Sequence, residues 1–134
     1  NRPGVMGDKQ LAAFNESVVK EYISNMNSNS VRLKVKGIIV TMLENGEPNL
    51  QTIADQLHMS ERSLRRRLKE EDVSYRDLLN ETRMELAEHY LEQTQLPITA
   101  VSLRLGFTDT SNFSRAFARW FKVSPSQYRV QAKE

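Results

Sequence analysis

The sequence contains no cysteine, so disulfides, thiolate chemistry and cysteine-based zinc sites are excluded. No apolar run approaches the ~18 residues that a membrane-spanning helix requires, and no membrane partner is expected. The opening NRPGVMGDKQ lacks the apolar core and small-residue cleavage site of a signal peptide, which makes an intracellular location the expectation. Its first residue, Asn1, suggests a piece of a longer chain. Catalytic groupings are missing too. His58 and His89 stand alone, without metal-site spacing, and no glycine-rich phosphate loop occurs. The acids of 70–72 and 81–92 are spaced as a solvated helix face rather than as a catalytic pair. The expectation is a protein that is not an enzyme and uses neither metal nor cofactor.

What is present is ordinary in bulk and uneven in detail. At 134 residues, with 39% hydrophobic and 27% charged side chains, the chain is globular and long enough for one domain or two very small ones sharing an interface. The net charge of +2 argues nothing by itself. Its distribution does: cations and acids balance over 1–59, five cations face one acid over 60–69, two face eight over 70–93, and six face two over 94–134. Basic segments on either side of an acidic one point to localised contact with a polyanion.

Apolar residues recur at three and four rather than at two, so the chain reads as all-α. A first helix is expected from about Asp8, with Leu11, Phe14, Val18, Tyr22 and Met26 on one face, followed by a loop at NSNS (27–30). A second runs from about Val31 to Leu43 and stops at the turn ENGEPN. Further helices are expected at 50–57, 60–71, 74–93, 97–105 and 109–121, with a last turn or two from Ser124. Ser74 followed by Asp77 has the form of a capping box; Asp109 and Ser124, the latter followed by Pro125, are further N-caps. The helix at 74–93 should bury Leu78, Leu79, Thr82, Leu86, Tyr90 and Leu91 and leave its acids outward.

The chain also repeats itself. When IADQLHMSERSLRRRL (53–68) is set beside VSLRLGFTDTSNFSRAF (101–117), Ile53 falls with Val101, Leu57 with Leu105, Met59 with Phe107, Leu64 with Phe113 and Leu68 with Phe117. Each copy is a short helix, a tight turn and a second helix, with a small residue (Ala54, Ser102) where the helices cross and a left-handed turn position four residues later. Gly106 suits that position; His58 in the first copy carries a modest penalty there.

At about 100° per residue, Leu64 and Leu68 face the core, and Arg62, Arg65, Arg66 and Lys69 share the opposite face, with Arg67 on a flank. No i,i+4 acid–base pair is expected on that face, so its charges repel one another unless an anion offsets them. Guanidinium forks fit guanine edges and phosphates, which favours duplex DNA over a merely solvated face. In the second copy Phe113, Phe117 and Trp120 are expected inward, with Ser111, Arg115, Ala118, Arg119 and Lys122 outward and Thr110 and Asn112 near the exposed first turn. That helix taken alone reads equally well as an ordinary amphipathic one.

The stretch LQTIADQLHMSERSLRRRLKEE and, further on, ITAVSLRLGFTDTSNFSRAFARWFKVSPSQYR resemble the DNA-binding region of AraC/XylS-type bacterial transcription regulators, over residues 31 to 130. The resemblance implies two helix-turn-helix subdomains joined by a long linker helix, with an extra N-terminal helix. The corresponding division is 1–30 as a connector from a missing regulatory domain, 31–73 as the first subdomain, 74–93 as the linker helix and 94–134 as the second subdomain. It further implies that recognition helices at about 60–71 and 109–121 enter successive major grooves on one side of double-stranded DNA. Base contacts carried over are Arg62, Arg65 and Arg66 in the first and Thr110, Ser111, Asn112 and Arg115 in the second; phosphate contacts are Lys69, Arg67, Arg119 and Lys122. RNA polymerase is an implied partner and the cytoplasm, at the nucleoid, the implied location, while an effector and a dimer partner would bind the regulatory domain that this chain lacks. The family usually has glycine where His58, Asp72 and Lys122 stand here. Related DNA-alkylation-repair proteins combine enzyme and regulator through reactive cysteines, which are absent.

Two further readings stay open. The chain would instead be a helical protein-interaction module if Phe107, Phe113 and Trp120 formed a partner groove rather than core. The helix from Asp8 is either the tail of a regulatory domain or a support packed on the first subdomain, and a connecting role is preferred.

Overall fold

Short polar residues open most of the helices. In the computed structural model, which describes residues 18, 20–24 and 28–133, Ser30 caps α1 (Val31–Met42), Asn49 caps α2 (Leu50–Gln56), Ser60 caps α3 (Glu61–Glu70) and Ser74 caps α4 (Tyr75–Gln93). Helix α5 (Ile98–Arg104) starts after Pro97 without a side-chain cap; Asp109 caps α6 (Thr110–Phe121) and Ser124 caps α7 (Pro125–Ala132). Each cap oxygen accepts an amide proton that the first helical turn cannot pair. Ser124 and Gln127 form the full reciprocal box, and α7 runs for eight residues, about two turns as expected. Ser74 accepts from the Asp77 amide and forms only half of the expected box, aspartate being a methylene shorter than the residues that reach back. No strand occurs among the described residues, and the fold is all-α.

Helix α4 is the spine. Helix α1 packs along it and, with α2 and α3, encloses Val35, Ile39, Ile53, Leu64 and Leu68; α5, α6 and α7 pack toward its other end around Val101, Leu105, Phe113 and Phe117. The expected apolar face of α4 is buried throughout, from Leu78 to Leu91, and joins both halves in one core. Of the helix expected from Asp8, Leu11, Phe14 and Met26 lie outside the described residues. Residues 20–24 are helical, and Tyr22 is buried against the core.

The acids of α4 do not all point outward. Lys36, 7% exposed, lies 2.7 Å from Glu81 and 2.8 Å from Glu85; Arg32 reaches Glu81 at 2.8 Å, and the Tyr22 hydroxyl donates to Glu85 at 2.6 Å. A buried ammonium is tolerated only with carboxylates against it, so these two acids turn toward α1. Further along, the Tyr128 hydroxyl donates to Glu88 and Glu92, tying α7 down. Glu71, just past α3, accepts from the Ser30 hydroxyl at 2.6 Å and from the Val31 amide at 2.9 Å, so a carboxylate sits on the positive end of α1. The Ser30 hydrogen bond, with those of the Arg32 and Val31 amides, holds the Glu71 carboxyl below its ordinary value. Burial raises that of Glu81, but the hydrogen bonds from Lys36 and Arg32 outweigh it and bring it down as well.

The three positions where the family usually has glycine all adopt left-handed backbone: φ is 59° at His58, 60° at Asp72 and 66° at Lys122. Turn geometry is therefore kept without the glycines. Gly106, at φ 82°, is different, because a Cβ there would stand 2.9 Å from the Leu43 carbonyl oxygen.

His58→Gly should raise stability by about 0.5–1 kcal/mol, since relief of the left-handed penalty exceeds the entropy that glycine adds to the unfolded chain. Gly106→Ala should lower it, and paired thermal melts will separate the two; a His58→Gly protein that melts earlier would show that the imidazole supplies contacts. In acid, the depressed carboxyls of Glu71 and Glu81 set the direction. Their stabilisation is complete above the ordinary value of about 4.5 and disappears as pH falls through the lower folded values. The urea midpoint should fall with acidification in that window, and by less in Glu71→Gln.

Candidate nucleic-acid interface

The sequence repeat is a repeat of hydrogen bonds. In the first copy the Leu57 amide donates to the Ile53 and Ala54 carbonyls and the Met59 amide to Ala54; in the second, Leu105 donates to Val101 and Ser102, and Phe107 to Ser102, all between 3.0 and 3.2 Å. This wrap of amides over the last carbonyls ends each short helix and turns the chain into the next. Ala54 and Ser102 are buried at the crossings, where the Ser102 hydroxyl also donates to the Asp109 carbonyl at 3.3 Å. The copies differ in depth at one paired position: Leu105 is fully buried, whereas Leu57 is half-buried against the core. The second turn is covered by the first half of the molecule, whereas in the first turn His58 is exposed.

Helix α3 buries Leu64 and Leu68 and exposes Arg62, Arg65, Arg66, Arg67 and Lys69. Among the described residues, Arg62, Arg66, Arg67 and Lys69 make no ion pair. Arg65 does, and this corrects the expectation of a face without i,i+4 partners: its guanidinium meets Glu61 at 3.0 Å. Residues four apart differ by only about 40° around a helix, within reach of two long side chains.

Helix α6 buries Phe113 and Phe117, whose rings meet edge to face at 5.8 Å, and exposes Ser111, Asn112, Arg115, Ala118, Arg119 and Lys122. Thr110 is half-buried. The Asn112 amide group donates to Asp109 at 3.2 Å, and its oxygen accepts from Arg115 at 2.5 Å, so these two outward side chains are already aligned with each other. The Lys122 ammonium folds back to the Arg119 carbonyl at 3.0 Å.

Trp120 is not inward: it is 46% exposed. The last turn of α6 leans instead on α7 through Phe121, which stacks on Phe117 at 4.4 Å and meets Tyr128 at 5.5 Å, leaving Trp120 at the edge. With Phe113 fully buried and Phe107 packed on it at 5.5 Å, these aromatics make core and not a partner groove.

Two arginines escaped the sequence reading. Arg83, 4% exposed, donates to the Leu105 carbonyl at 2.8 Å and to that of Gly106 at 3.0 Å, with its guanidinium 4.2 Å from the Phe107 ring centre. Burial pushes its pKa down, against the pull of Glu47. Arg129 caps α4, donating to the carbonyls of Tyr90, Leu91 and Leu96. A signal for Arg83 existed: it stands one turn from both Leu79 and Ala87, a cation on the buried face of α4.

Residues 53–131 match the family model described as a helix-turn-helix domain. The chain belongs to the AraC-type family of helix-turn-helix transcription regulators. It is 48% identical over 82 residues to the ornithine utilization regulator of Pseudomonas aeruginosa, covering 61% of this chain and 24% of that one. It is 36% identical over 97 residues to the regulator VirS of Mycobacterium tuberculosis, covering 72% and 28%. The matches thus span about a quarter of the length of these curated relatives. Among solved structures, a DNA-binding transcriptional dual regulator from Escherichia coli K-12 superposes with a TM-score of 0.74 at 28% identity, over 80% of this chain and 96% of that one. The DNA-binding domain of AdpA, solved with a target DNA, shares the fold with a TM-score of 0.66 at 23% identity, over 77% and 93%. No helix among the described residues is long and apolar enough to cross a membrane.

Trp120 is the single tryptophan of the chain. In the folded domain its fluorescence should be quenched readily by acrylamide; emission shielded from the quencher would return the indole to the core.

Proposed function

We propose that the chain is the sequence-specific, double-stranded DNA-binding part of a bacterial transcription regulator, placing α3 and α6 in successive major grooves. The observation that carries this reading is the outward face of α3, where Arg62, Arg66 and Lys69, with Arg67 on the flank, stand exposed without a carboxylate partner among the described residues, on a helix that buries Leu64 and Leu68 on its other side. Such an arrangement is stabilised when phosphates and base edges supply the missing acceptors. Arg62, Arg65 and Arg66 are assigned to base edges from α3, and Thr110, Ser111, Asn112 and Arg115 from α6; Lys69, Arg67, Arg119 and Lys122 are assigned to phosphates.

On this reading the chain is not an enzyme and works in the bacterial cytoplasm at the nucleoid, with RNA polymerase as a partner. The proposed division is 31–73 and 94–134 as the two reading units, 74–93 as the linker between them, and 1–30 as a connector to a regulatory domain that holds the effector and dimer contacts. The burial of Tyr22 supports a fixed entry of that connector onto the first unit.

Selection from randomised duplexes should return one asymmetric site whose halves lie roughly a helical turn, ~10 bp, apart. Affinity should fall by orders of magnitude between about 50 and 200 mM salt if ~6–10 phosphates are engaged. Arg66→Ala should cost ~1–3 kcal/mol and blur one half of the site, Arg115→Ala the other, and Lys69→Ala should weaken all sequences alike. A flat salt titration, or a palindromic site in which Arg66→Ala and Arg115→Ala blur the same base pairs, would count decisively against the tandem reading.

A further inference from the structure

Gly106 lies where the two halves of the molecule touch. The site of its missing Cβ is 2.9 Å from the Leu43 carbonyl oxygen and 3.1 Å from that of Gly46, so the turn of the second helix-turn-helix rests directly on the 3-10 turn, Leu43–Asn45, that follows α1. Arg83 grips the same turn from α4, with its two bonds to the Leu105 and Gly106 carbonyls. Glu47 closes the group, 3.7 Å from Arg83 and 3.3 Å from Arg76. The corresponding turn residue of the first copy, His58, is exposed.

This contact is placed to do more than hold the fold. We propose that Arg83 and Gly106 are positioning residues that set the spacing between the two half-sites the domain accepts, an inference that rests on the DNA reading above. Helix α6 begins at Thr110, only a short step after Gly106, so any shift of the turn is passed to the recognition helix. The first half, carrying α3, meets that turn directly through the backbone oxygens of Leu43 and Gly46, and the Glu47 carboxylate adds a charge against Arg83. Duplex DNA is unforgiving of such a fixed pair. One added base pair carries the second half-site about 3.4 Å along the axis and roughly 36° around it, and a rigid pair of reading heads cannot follow both movements. Arginine suits the post because its planar fork serves two carbonyls while its face lies on an aromatic ring; lysine offers a single point of contact.

The test uses the whole chain and the duplex obtained by selection, together with versions carrying one base pair more or fewer between the halves. The wild-type protein should lose roughly tenfold or more on either change, the size of one or two spoiled base contacts. Gly106→Ala, Arg83→Ala and Glu47→Ala should each shrink that ratio at least threefold, whatever they do to affinity for the best site. Phe121→Leu, which loosens the packing of α6 on α7 away from the contact, should lower the melting temperature and leave the ratio unchanged. If Arg83→Ala proves too unstable to assay, Gly106→Ala and the exposed-site change Glu47→Ala carry the measurement. Ratios unchanged in those variants would overturn the proposal, as would a ratio that shrinks equally in Phe121→Leu, since spacing would then follow general looseness. Failure to select any duplex would instead remove the DNA reading beneath it, which is a different result.

Discussion

Backbone meets backbone at Gly106, and the arrangement of the domain depends on there being no side chain at that point. A Cβ would collide with the carbonyls of Leu43 and Gly46, and φ of 82° would strain any other residue that stood there. The same turn, just past α5, presents the carbonyls of Leu105 and Gly106. Arg83 brings a buried guanidinium that requires acceptors and finds them in Leu105 and Gly106. The turn carbonyls that need donors and the buried charge that needs acceptors thus satisfy each other at the junction of the halves. Arg129 repeats the solution at the end of α4.

That junction also explains why two copies of one motif differ where their sequences align. His58 and Gly106 occupy equivalent left-handed positions and the amides around them make equivalent bonds. The backbone conformation alone costs an ordinary residue a modest amount, which His58, Asp72 and Lys122 all bear. Gly106 adds a close backbone neighbour to that conformation, so there the glycine is required on two counts.

The helices, their caps and the paired core positions were legible because they rest on local rules: apolar spacing, short polar residues before each helix, and a motif repeated with the same faces inward. Contacts between distant elements were not. Glu81 and Glu85 look like solvated acids within their own helix, and nothing local reveals that Lys36 and Arg32 are waiting on α1. Trp120 shares the sequence pattern of Phe113, but the direction in which α6 ends is decided by Tyr128 on α7, so Phe121 is covered and Trp120 is left at the edge. The exposure of the α3 cations followed from periodicity. The ion pair of Arg65 with Glu61 obeys the same periodicity, since an offset of about 40° one turn apart leaves two long side chains within reach of each other.

The two candidate reading surfaces divide their work unequally. On α3 the free guanidiniums and Lys69 give a strong field and many orientations, since exposed long side chains keep their rotamer freedom until something binds them. Glu61 restrains one of them, Arg65, and stands in the first turn where the helix dipole favours an acid, so it moderates the charge without neutralising the face. On α6 the side chains are shorter and partly fixed: Asp109 holds Asn112, and Asn112 holds Arg115. Groups held in place before binding lose less entropy on contact and tolerate less error in what they meet. Within the DNA reading, attraction therefore comes chiefly through α3 and geometric selectivity chiefly through α6. On the same reading, the buried turn between the halves obliges both to be satisfied by the same stretch of duplex.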